Sequence, residues 1–109
     1  MLYLVIMKTQ PYRPHNQAEI RLAEAFLSLD DTQEMLNFLR DLLTPAEIKE
    51  FANRLEIAKL LQQGELSYLE VAKRVGTSTT TVTRVAHWLR SGCGGYQKVL
   101  SHRSSDKRS

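Results

Sequence analysis

With one cysteine in 109 residues, the chain can form neither an intramolecular disulfide nor a zinc cluster built on paired thiolates. That usage fits a reducing compartment such as the cytosol. Long apolar runs are missing too. The stretch Leu2 to Met7 is too short to span a membrane, and no small-residue cleavage site follows it, as a signal peptide requires. Charge is not spread evenly. Residues 1–70 hold 7 Lys/Arg against 11 Asp/Glu, whereas residues 71–109 hold 8 Lys/Arg against the single Asp106. The last third of the chain therefore attracts polyanions, although a solvated surface with a cationic tail has the same composition. What is present is ordinary for one soluble domain: 42% hydrophobic and 25% charged residues.

The apolar residues recur with helical spacing. Residues 1–17, with Pro11 and Pro14, lack that period and read as a flexible N-terminal arm. A short strand over Leu2–Ile6, or a true start at Met7, is the alternative. From Ala18 to Leu29, Ile20, Ala23, Phe26 and Leu27 mark a first helix. Asp30 and Asp31 offer caps to a second, with Met35, Leu36, Leu39, Leu42 and Leu43. Thr44-Pro45-Ala46-Glu47 is a capping box on a proline-primed start, and Gly64 stops that third helix. Ser67-Tyr68-Leu69-Glu70 is a second capping box, whose helix ends at Gly76. Thr77 and Ser78 offer caps to a fifth helix reaching about Ser91. Gly92, Gly94 and Gly95 break it, Tyr96–Leu100 allows a short last helix, and residues 101–109 read as a basic disordered tail. No strand alternation follows residue 7, so the fold is all-α, with a helical domain over residues 18–100.

Residues 68–89 carry the pattern of a helix-turn-helix. Two short helices crossing steeply need a small residue at their contact and a residue tolerant of positive φ in the turn. Ala72 and Gly76 supply these, and Val71 and Val75 can pack against Val82 and Val85. The remaining face offers Ser78, Thr79, Thr80, Thr83, Arg84 and His87. Threonine can touch a thymine methyl or donate to a base edge, arginine reaches guanine or phosphate, and histidine reaches phosphate. Lys73 faces the groove side and, with Arg74, is a phosphate contact. The valines alone fit a plain helical hairpin equally well. Their combination with Ala72, Gly76, the polar face and the local positive charge points to DNA.

At this resolution a resemblance becomes specific. Leu42-Leu43-Thr44-Pro45-x-Glu47, Asn53-Arg54-Leu55-Glu56-Ile57, Leu60-Leu61-x-x-Gly64-Glu65-Leu66-Ser67 and Gly76 through Thr81-Val82-Thr83-Arg84 resemble the Trp repressor superfamily. The match is close over Leu42–Leu89, and Arg84-Val85 is more similar to its YerC/YecD branch than to the tryptophan-sensing branch. The resemblance implies six helices, an intertwined homodimer whose recognition helices sit one DNA turn apart, and a cytoplasmic, nucleoid-associated transcription regulator that represses its genes. It also implies an effector pocket. Thr44, Arg54, Thr81 and Arg84 recur from the tryptophan-sensing branch, while Val85 replaces a glycine and Trp88 a serine. A β-branched side chain takes up room there, and Trp88 can fill the pocket with its own indole. Arg54 and Arg84 are then expected to pair with carboxylates such as Glu56 or to contact phosphates. No co-repressor and no other cofactor is expected. Tyr68 and Leu69 stand where that branch has polar and basic groups near DNA, so operator sequence does not carry over, and Leu69 can be core or a dimer contact. His102, Arg103, Lys107 and Arg108 would add nonspecific affinity.

Other chemistries fit poorly. His15, His87 and His102 lack metal-site spacing, and Cys93 is a lone thiol. Glu47 and Glu50 lie on a solvated face, and the glycines at 92–95 follow a helix instead of opening a phosphate loop after a strand. No enzyme, metal or membrane reading survives. The competing reading is a helix-turn-helix that docks a protein, or one that grips DNA for a larger assembly such as a transposase.

Overall fold

The computed structural model describes residues 10–108, with side chains through residue 101. Among these residues the fold is all-α, with six helices and no strand: α1 Gln17–Leu27, α2 Thr32–Leu42, α3 Pro45–Gln63, α4 Tyr68–Val75, α5 Thr79–Ser91 and α6 Gly95–Arg108. The helix starts are set by local side chains. Thr44 Oγ1 accepts the Glu47 N–H at 3.1 Å while Glu47 Oε1 accepts the Thr44 N–H at 2.9 Å. Ser67 and Glu70 repeat the exchange at α4, at 3.1 and 2.8 Å. At α2, Asp31 accepts the Glu34 N–H and Glu34 reaches back to the Asp30 N–H, both at 2.8 Å. Each such start satisfies amide donors that the helix leaves unpaired.

Two ends differ from the sequence expectation. Residues 12–16 are fastened to α1, not free as an arm. Asn16 caps the helix by accepting the Glu19 N–H at 3.1 Å. Glu19 Oε1 in turn accepts from the Tyr12 hydroxyl at 2.8 Å and the His15 N–H at 3.1 Å. The strand considered for Leu2–Ile6 lies outside the described residues. At the other end, α6 continues to Arg108 in place of a disordered tail from residue 101. Nothing after Gly95 breaks it, since no glycine or proline occurs between Tyr96 and Ser109.

The chain divides into two compact units, residues 12–51 and the unit beginning at Ala52. In the first, α1 and α2 meet through Phe26 and Phe38, whose rings lie edge to face at 5.5 Å. Neither helix contains a buried residue. Leu27 is 84% exposed and Leu36 51%, although both belong to the expected apolar stripes. The second unit has a dry centre formed by Ile57, Ala58, Val71, Ala72, Val82, Val85 and Leu100. Each fully buried valine there contributes about 1.5–3 kcal/mol.

Candidate nucleic-acid interface

The steep turn between α4 and α5 starts from Gly76, which adopts φ 86° and ψ 45°. The carbonyl of Ala72 accepts N–H groups from both Gly76 and Thr77, at 2.8 and 2.9 Å. These bonds finish α4 and turn the chain at once. Open space surrounds the Gly76 α-carbon, so the glycine is required by its left-handed backbone and not by crowding. Ala72 is buried at the contact, with Val71 before it, and clusters with Val82 and Val85 of α5. The expected valine packing and the small contact residue are both present.

Burying that face of α5 leaves Ser78, Thr79, Thr80, Thr83, Arg84 and His87 exposed on it, with Lys73 exposed on α4. The hydroxyls are not equivalent. Ser78 caps α5 by accepting the Thr81 N–H at 3.2 Å, and its oxygen also lies 3.2 Å from Thr81 Oγ1. Thr83 donates its hydroxyl proton to the Thr79 carbonyl at 3.0 Å, so it presents lone pairs and a methyl group outward. Thr79 and Thr80 make no such side-chain bond among the described residues. The first turn of α5 carries no acidic residue. Its amino end therefore presents unpaired N–H groups, small hydroxyls and the positive pole of the helix, an environment suited to a phosphate or a base edge.

The positions assigned to an effector by resemblance do different things. Thr44 spends its hydroxyl on capping α3, and Thr81 shares its own with the α5 cap. Val85 is a core residue at 1% exposure. Trp88 does not fill an interior space: it is 50% exposed, with its ring edge to face against His87 at 5.3 Å. Position 88 follows His87 on the outward side of α5, while Val85 and Leu89 face the core. Among the described residues Glu56 makes no ion pair with either arginine. Arg54 and Arg84 both act on the phenol of Tyr96. Burial pushes that phenol above its ordinary value, and the two guanidinium groups pull it the other way. Leu69, expected as core or a dimer contact, is 56% exposed and is not core, because Val71 and Ala72 occupy the inward side of α4.

Tyr96 was not legible as part of this region from sequence. It is placed by the α5–α6 connection. A side chain at Gly92 would collide with the Trp88 carbonyl oxygen, so the turn is closed to other residues. Gln97 Nε2 then donates to the Leu89 carbonyl at 2.7 Å, and Leu100 seats in the core. Among the described residues no cluster of His, Cys, Asp or Glu could hold a metal ion, and no helix is long and apolar enough to cross a membrane.

Known proteins share this arrangement. The family model described as Trp repressor protein matches residues 19–104. The chain is 38% identical over 80 residues to YerC of Bacillus subtilis (strain 168), an uncharacterised protein, covering 73% of this chain and 76% of that one. It is 32% identical over 81 residues to a Trp operon repressor homolog of Chlamydia trachomatis serovar L2, covering 71% and 86% respectively. The crystal structure of a TrpR-like protein from Eubacterium eligens superposes with a TM-score of 0.78 at 37% identity, covering 83% of this chain and 92% of that one.

Proposed function

Because this chain belongs to the Trp repressor family, we propose that it is a sequence-specific transcriptional repressor that binds duplex DNA as a homodimer and does not respond to tryptophan. The observation that carries the reading is the outward face of α5. Thr79, Thr80, Thr83, Arg84 and His87 stand exposed over a valine core, behind an amino end free of acidic groups. Thr79, Thr80 and Thr83 are suited to base edges and thymine methyls. Arg84 is suited to guanine or phosphate, and Ser78, Lys73 and His87 to the backbone.

The same geometry supports independence from tryptophan. The core position of Val85 and the engaged hydroxyls of Thr44 and Thr81 speak against the contacts an amino acid would need from these side chains. Tyr96 already lies within electrostatic reach of both arginines. A homodimer is supported by the unit of residues 12–51, which buries no residue in either of its helices. Helix-turn-helix dimers, the Trp repressor among them, set their recognition helices about 34 Å apart, one turn of DNA. A regulator of this kind acts in the cytoplasm, at the nucleoid.

Selection of bound sequences from a random duplex pool at about 150 mM salt tests the reading. The expected product is an approximate palindrome with half-sites about one turn apart, recovered equally with and without tryptophan. Enrichment only in the presence of tryptophan would overturn effector independence. Binding that merely decays with salt, with no enriched sequence, would replace the regulator by a protein-docking module.

A further inference from the structure

A cleft of about 550 Å³ opens between α3 and the last turn of α4. Of the residues assigned above to DNA only Arg74 lines it, and none of those assigned by resemblance to an effector does. Asn53, Glu56, Leu60 and Gln63 recur at helical spacing and so form one strip of α3, joined by Lys59. Arg74 and Val75 face it from α4. Leu60 and Val75 pack against the core, which fixes the floor. The polar wall is uncommitted: Asn53, Glu56, Lys59 and Gln63 have no side-chain hydrogen bond or ion pair among the described residues.

The lining chemistry defines its complement. Lys59 and Arg74 are two cations, one able to grip a carboxylate with two parallel N–H groups. Glu56 is an acceptor that repels a simple anion and attracts an ammonium group. Asn53 and Gln63 supply amide donors and acceptors, and the Leu60–Val75 floor suits a short aliphatic stem. A volume of this order is that of small-molecule sites. We infer that the α3–α4 cleft binds a small amino dicarboxylate, an acidic amino acid whose two carboxylates meet Lys59 and Arg74 while its ammonium meets Glu56.

The site is placed to act on the turn. Arg74 and Val75 immediately precede Gly76, where the chain bends from α4 into α5. A ligand holding Arg74 against α3 restrains the carboxyl end of α4 and with it the setting of α5. The effect on DNA rests on the function proposed above; binding of the ligand does not.

Calorimetric titration of the full chain with L-glutamate, L-aspartate, succinate and inorganic phosphate tests the inference, with amide shifts to locate each ligand. The acidic amino acids are expected to bind with Kd of about 1 mM or tighter, shifting amides of residues 53–63 and 74–76. Lys59→Met should weaken both at least about tenfold, the loss of one charge-assisted contact. Glu56→Gln should weaken the amino acids but not succinate, which lacks the ammonium. Glu56 is exposed and Lys59 half-buried, and unchanged helical circular dichroism establishes that the variants fold. No binding of either amino acid at about 10 mM, phosphate bound as tightly as glutamate and indifferent to Glu56→Gln, or shifts confined to Arg54 and Arg84 would each overturn it. If the acidic amino acids bind and no operator is recovered from the duplex pool, the ligand site stands and the regulatory reading falls.

Discussion

Four glutamates and one threonine occupy the same place in five helices. Glu19, Glu34, Glu47 and Glu70 each stand three residues after the capping side chain of α1 to α4 and accept an N–H group at the helix start. A carboxylate there is favoured by the positive pole of the helix as well as by the bond it accepts. In α5 the corresponding residue is Thr81, so the cap is made by neutral hydroxyls. A carboxylate at that end would face phosphate. Thr81→Glu should therefore leave the melting temperature unchanged or raised while weakening DNA binding at least about tenfold through like-charge repulsion. Fluorescence anisotropy with a labelled duplex, beside a thermal melt, separates the two effects. Full affinity in the variant would remove the amino end of α5 from the interface. Acid acts on the other caps. The bonds from Ser67 hold the Glu70 carboxyl below its ordinary 4.5. A lowered folded value means that the stabilisation is complete above 4.5 and disappears as pH falls through the folded value. Amide protection factors at the start of α4 should fall over that acid range, and Glu70→Gln should flatten the dependence.

Among the elements, the connection from α5 to α6 is the most tightly constrained. Gly92→Ala forces a methyl group into the Trp88 carbonyl, which requires the turn to open and Tyr96 and Leu100 to shift. A cost of about 1–3 kcal/mol follows, readable as a lower urea midpoint and a shifted Tyr96 signal. Gly76→Ala should cost about 1–2 kcal/mol for a different reason, the left-handed backbone. How much of this was legible beforehand depends on the range of the interaction. The caps at Thr44 and Ser67 and the Ala72–Gly76–Val82 spacing act within a few residues, so the helix-turn-helix is written in the sequence. The cap at Asn16 was hidden by Pro11 and Pro14, which imitate a free arm although Glu19 ties the chain down. The length of α6 escaped because a polar stretch without a breaker has nearly equal free energy as helix or coil. Tyr96 beside Arg54 and Arg84 joins three helices, and no local pattern records such a meeting.

At the scale of the whole molecule, the two units differ in what they bury. Among the described residues the unit beginning at Ala52 encloses eight buried apolar residues, while α1 and α2 enclose none and leave Leu22, Leu27, Leu36 and Leu42 exposed. If a second copy covers them, as proposed, folding of α1 and α2 is coupled to association. The urea midpoint should then rise with protein concentration, and α1 and α2 should lose amide protection on dilution before α4 and α5. A midpoint independent of concentration, with a monomeric mass by sedimentation at micromolar chain, would exclude the dimer. This division also bears on turnover in the cell. A newly made chain without a partner would display leucine-rich helices to proteases, whereas a paired chain would not. Surviving protein would then grow faster than in proportion to synthesis, so repression would set in above a threshold of expression.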